Sequence, residues 1–170
     1  MSSIEELKGA ITSGVARANR YKIMLPSDFG MDGRDLNILC RAANLPGRQI
    51  LTQERRIGMI TQKMPYAFGF NDVSLTFILD NNYSVRNYFD EWQRAVVNPG
   101  DYELAYKTEY SKTVSIFQLN HGDDSVVYGC KLLRAFPTTV NAIELGDENE
   151  NSLVQLNVEL SYTDWEPEQV

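Results

Sequence analysis

The chain is poor in the residues that most often carry out chemistry. It has one histidine, His121, and two cysteines, Cys40 and Cys130, in 170 residues. A lone histidine cannot complete a metal site or a Ser-His-Asp triad, and no nucleophile elbow lies near it. His121 falls in His-Gly-Asp-Asp, a run of turn formers, so a hairpin tip is favoured over a metal site with Asp123 and Asp124. The two cysteines are far apart and fit no metal spacing, which makes a reducing folding environment the default. A phosphate loop, a dinucleotide fingerprint and a CxxC pair are all missing. The adjacent acids Glu5-Glu6, Asp90-Glu91, Asp123-Asp124 and Asp147-Glu148 sit on apparent solvent faces or turns. No apolar run reaches the roughly 18 residues of a membrane-spanning helix, so no membrane anchor is expected. The N-terminal stretch MSSIEELKGAITSG lacks the apolar core of a secretory signal. No catalytic residue, cofactor or metal ligand is expected, and an enzyme is disfavoured.

What is present is ordinary in amount and uneven in placement. Apolar residues make up 43% and charged residues 23%, which suits one globular domain spanning 1–170. The net charge is −7, a poor balance for gripping nucleic acid through its phosphates. Residues 41–63 carry Arg41, Arg48, Arg55, Arg56 and Lys63 against Glu54 alone, a net of +4. Residues 141–170 carry eight acids and no lysine or arginine, a net of −8. A basic segment and an acidic tail on one chain suggest head-to-tail self-association, and two solvated faces are the bland alternative.

Periodicity predicts a mainly β chain. Ser3 and Glu6 have capping-box spacing before Ile4, Leu7 and Ile11, a short helix. Residues 21–25 alternate as a strand, 26–35 read as a loop, and 36–42 as a second strand. Residues 48–70 are long, basic and poorly patterned, and are read as a projecting hairpin or loop. Val73, Leu75 and Phe77 mark a half-buried strand. One helix is predicted over 84–97, with Ser84 as its cap and Val85, Tyr88, Phe89, Trp92 and Val96 on its core face. Runs 112–119 and 125–135 form a hairpin, and a last strand covers Leu153 to Tyr162. In that strand Val154, Leu156, Val158, Leu160 and Tyr162 share the core face, while Gln155, Asn157, Glu159 and Ser161 take the polar one. No helical crossovers separate the strands, so the sheets must be antiparallel. The expected fold is two packed antiparallel sheets, a sandwich or barrel, with one flanking helix and a long projecting loop.

Four local signatures give the chain a family resemblance. They are Cys40-Arg41-Ala42-Ala43-Asn44-Leu45-Pro46; Phe89 followed by Glu91-Trp92-Gln93; Phe136-Pro137-Thr138-Thr139-Val140 followed by Ile143-Glu144-Leu145; and Tyr162-Thr163-Asp164-Trp165-Glu166. In order and spacing, over roughly 15–166, the chain resembles the tail tube proteins of contractile-tailed, T4-like bacteriophages. Phe136 stands where the family often has tryptophan, and residues 26–36 are longer than the family pattern.

The resemblance implies a structural subunit of a phage tail tube. Hexameric rings stack head-to-tail into a hollow, acid-lined conduit through which DNA passes during ejection without specific binding. The implied partners are the chain itself, a contractile sheath protein, and baseplate and tail-terminator proteins. The implied location is the virion tail, assembled in the host cytoplasm. On this reading residues 1–16 are an N-terminal arm and 44–70 the stacking loop. Arg48, Arg55, Arg56 and Lys63 are candidates for ring-to-ring contact, and Gln155, Asn157, Glu159 and Ser161 for the lumen wall. A tube-initiating baseplate protein or a type VI secretion needle-tube protein shares the expected fold, and a lone barrel binding a small apolar ligand is the rival of another class.

Overall fold

In the computed structural model, which describes residues 4–12, 14–147 and 152–168, one strand organises the rest. This is β7, Val126–Val140, fifteen residues long. Its first half pairs with β6, Lys112–Leu119, and with the C-terminal β9, Asp164–Glu168. Its second half pairs with β8, Gln155–Ser161. Between the halves Arg134 takes a left-handed φ of 55°, the corner at which the strand passes from one sheet to the other. The first sheet is completed by β1, Tyr21–Met24, on β6, and the second by β5, Val73–Ile78, on β8 and β2, Cys40–Ala43, on β5. Every pairing is antiparallel, as the lack of crossover helices requires.

The core lies between the sheets and is built from period-two alternation. Val73, Leu75 and Phe77 on β5 face inward beside Leu156, Val158 and Leu160 on β8. Val114, Ile116, Leu132 and Ala135 come from the other sheet. The helix α3, Ser84–Val96, adds Val85, Tyr88, Phe89 and Trp92, all buried, with Phe89 5.3 Å from Phe77 between ring centroids. Val96 and Val154 are half-buried at the rim. Each fully buried large side chain contributes roughly 1.5–3 kcal/mol of transfer free energy.

Four readings of the sequence are corrected. Residues 36–42 are not one strand: α2, Gly33–Leu39, precedes β2. Leu36 drops into the core, and the Asn37 side-chain oxygen accepts the Ile23 backbone N–H at 2.8 Å. Glycine is required at position 33, because a Cβ there would meet the Leu25 carbonyl oxygen at 2.9 Å. Ser84 is the first helical residue and not the cap. Tyr83 takes the cap position at φ 53°, and the Asp80 carboxylate receives the Ser84 N–H at 2.8 Å and hydroxyl at 2.7 Å. The run read as 125–135 continues as β7 to Val140 through Phe136-Pro137-Thr138-Thr139, with a register shift between Pro137 and Thr139 that accommodates a residue with no N–H to donate. The C-terminal strand ends at Ser161, and Asp164–Glu168 crosses to the first sheet as β9. Ser3, half of the predicted capping box, lies outside the described residues; α1 covers Ile4–Ala10 and buries none of its side chains. A further short helix, α4, occupies Lys107–Tyr110.

Candidate assembly interface

The basic excursion is an ordered ribbon. Among the described residues β3, Gln49–Ile57, and β4, Ile60–Gly69, pair only with each other, as a two-stranded sheet apart from the sandwich. Gly58 and Met59 form the turn, with Gly58 at φ 65°, the positive value that a primed hairpin turn needs at its first central position. Isolated two-stranded hairpins are marginal in water. This one nonetheless exposes Ile50, Ile57, Met59, Ile60, Tyr66 and Phe68, with Met59 99% exposed at the tip.

Cross-strand register sorts the outer ribbon into two unlike faces. Gln53 lies opposite Met64, Arg55 opposite Gln62, and Ile57 opposite Ile60. The other face holds Thr52 with Pro65, Glu54 with Lys63, and Arg56 with Thr61. Arg55 therefore shares the more apolar face, and Arg56 and Lys63 the polar one. Arg56 donates to the Gly58 carbonyl at 3.0 Å, folding back over the turn. Among the described residues neither Arg55, Arg56 nor Lys63 has an ion pair.

Arg48 differs from the other three. It stands at the ribbon's root and is engaged within its own chain, by the Asp164 carboxylate at 3.6 Å and the Trp165 carbonyl at 3.1 Å. Three aromatic rings surround its guanidinium. Neither Asp164 nor Trp165 is singled out by sequence reading as its partner, because 117 residues separate Arg48 from Trp165.

The polar face of β8 lies on the outer surface of the second sheet. Gln155 and Asn157 are exposed, and Glu159 and Ser161 half-buried. Ser74 and Thr139 flank Glu159 across the sheet, and the Thr76 hydroxyl bonds the Asn157 side-chain oxygen at 2.9 Å. Along the β8 part of this face Glu159 is the one carboxylate, among hydroxyls and amides.

The remaining reactive groups are dispersed. His121 is exposed in the turn between β6 and β7. Cys40 and Cys130 are free and buried; burial pushes the Cys40 thiol up to about 11 and also raises Cys130. An open groove of about 600 Å³ runs past Tyr21, Ala43 and Ile116, with Arg20 and Asp72 as its charged side chains. Tyr21 donates its hydroxyl to the Cys40 carbonyl, and burial first, then the nearby Cys40, raises its phenol to about 12.

A β-sandwich with a projecting, two-faced ribbon is the architecture of an assembling subunit. The family model described as phage tail tube protein matches residues 12–168. The chain belongs to that family and is a tube subunit. It is 23% identical over 167 residues to the tail tube protein gp19 of Enterobacteria phage T4, covering 96% of this chain and 99% of that one. A chain of the sheath–tube complex of an extracellular contractile injection system shares the fold with a TM-score of 0.69 at 13% identity, covering 100% of both chains. A chain from the tube-terminating cap of the anti-feeding prophage gives 0.69 at 15% identity, covering 92% of each.

Proposed function

We propose that six copies of this chain close into a ring and that rings stack head-to-tail, through the β3–β4 ribbon, into a hollow tube. One observation carries the reading. The ribbon projects with its apolar residues uncovered, so its natural cover is a surface supplied by another copy. A contact between two different surfaces of one chain does not close on itself and produces a filament. The ribbon's Arg55, Arg56 and Lys63 favour a partner surface that is acidic, and the segment after residue 140 is the acidic part of the chain.

In this tube the polar face of β8, Gln155, Asn157, Glu159 and Ser161, lines the channel. DNA carries one negative charge per about 1.7 Å of axis. A wall of hydroxyls, amides and a ring of Glu159 carboxylates gives its phosphates no cation to adhere to, while six copies multiply the subunit's −7. Screening confines that field to about 8 Å at physiological salt, so it prevents adsorption more than it centres the duplex. The role is that of a conduit and not of an enzyme. A sheath outside the tube, a baseplate at one end and a terminator at the other are its proposed partners, in a virion tail assembled in the host cytoplasm. Likeness to chains of a sheath–tube complex and a terminating cap supports those partners. Negative-stain microscopy of the purified chain tests the proposal: hollow six-fold tubes are expected, and a protein that stays monomeric at every concentration overturns it.

A further inference from the structure

We infer that Arg48 is a positioning residue for assembly: it clasps the root of the ribbon to β9 and sets the direction in which the ribbon projects. The inference rests on the ribbon being the stacking element. Arg48 immediately precedes β3, and Phe68 and Phe70 sit at the end of β4 and just beyond it. Its guanidinium carbon lies 4.8 Å from the centre of the Trp165 ring, 5.4 Å from Phe68 and 5.9 Å from Phe70. One cation, placed just before β3, thus touches the end of β4 and a strand of the sandwich. The same guanidinium donates to the Trp165 carbonyl at 3.1 Å and lies 3.6 Å from the Asp164 carboxylate. Cation–ring, hydrogen-bond and ionic contacts therefore converge on one planar group, a combination that lysine's point charge does not reproduce.

Trp165 anchors the clasp on the sandwich, packed against the core. Its indole Nε1 is buried with no hydrogen-bond partner among the described residues. Arg48 lies over one face of that ring. Phe70 also packs on Tyr162, 5.8 Å between centroids, whose hydroxyl donates to the Asn71 carbonyl at 2.8 Å. The ribbon root is thereby tied to the end of β8 as well as to β9. Among the described residues β3 and β4 pair with no other strand, so little else restrains the ribbon. A change of a few degrees at the root is magnified along strands nine and ten residues long, so the clasp fixes where the tip meets the next copy.

The test places spin labels on dilute full-length subunits at Met59→Cys, the ribbon tip, and Thr113→Cys on β6; the native cysteines are buried. The parent is expected to give one narrow distance peak. Arg48→Ala and Arg48→Lys are each expected to lose that peak in favour of a broad distribution, with sandwich melting unchanged and a longer lag before tubes form. A narrow peak retained in either variant overturns the inference. If Arg48→Ala does not fold, Arg48→Lys, which keeps the charge and the aliphatic stem, decides alone. Because the labels report on isolated subunits, a parent that forms no tubes overturns the stacking reading and leaves the clasp to be judged by the distances.

Discussion

Val158 and Glu159 are neighbours in sequence with opposite fates. Val158 is fully buried against β5, and Glu159 points to the outer face beside Ser74 and Thr139. Val158→Asp is expected to abolish soluble protein, since it puts an unpaired charge in the core. Glu159→Gln should fold and assemble as the parent does, as sedimentation and circular dichroism will show. The opposite pair of phenotypes would mean a register slipped by one residue. This contrast was legible in the sequence, because a strand buried on one face repeats every two residues. Arg48 was not legible: its charge grouped it with the other basic residues of 41–63, and its partners come from the far end of the chain.

Asp80 gives a pH-dependent prediction at the same scale. The Ser84 hydroxyl and N–H hold its carboxyl below the usual carboxylate range. A folded value below the unfolded one, about 3.9, means that the stabilisation is complete above that value. It is lost as pH falls through the lower folded value. Acid titration followed by circular dichroism should therefore show α3 fraying in the parent below about pH 4. Asp80→Asn should remove that part of the acid transition; an unchanged acid limb would discount the cap.

Among the elements, α3 was the easiest to read and the ribbon the hardest. The i, i+3, i+4, i+7 spacing of Val85, Tyr88, Phe89 and Trp92 has one physical interpretation, an apolar stripe on a helix. The structure adds what covers it. Phe29 stacks on Trp92 at 5.2 Å and meets Tyr88 edge-on at 5.8 Å, Tyr88 donates its hydroxyl to the Pro26 carbonyl, and Trp92 donates to the Tyr110 carbonyl at 2.9 Å. The longer 26–36 segment is thus part of the packing. Trp92→Ala should cost roughly 3–5 kcal/mol in urea unfolding, and a near-silent curve would move Trp92 from core to contact surface.

Residues 36–42 misread as a strand because a seven-residue helix shows too few turns to reveal its period. The ribbon was poorly patterned because neither of its faces is buried within the subunit, so nothing imposes alternation on it. Arg55→Glu with Arg56→Glu alters both ribbon faces and should leave a folded subunit that extends no tubes. Full-length tubes from that variant would return the +4 and −8 segments to being solvated surfaces. A single exposed pair contributes only about 0–1 kcal/mol, but each ring junction of the proposed tube would repeat it six times.

Over the whole molecule, the sandwich and the ribbon should behave as two units of unequal stability. Replacing residues 50–68 with a two-residue turn is expected to leave sandwich melting intact and abolish polymerisation. A deletion that unfolds the protein would show that the ribbon shares the core's cooperativity. Native-state amide exchange should likewise separate fast-exchanging residues 49–69 from one slow block.

That slow block follows from β7 belonging to both sheets. With one covalent strand common to the two, continuous backbone joins the layers at the Arg134 corner, and the pairing of each sheet onto β7 resists their parting. Mechanically the subunit is a stiff bead with a narrow arm held at its root. In the proposed tube such beads would keep the walls rigid and the arms would yield first, so bending and twisting would be taken up between rings while the bore keeps its diameter.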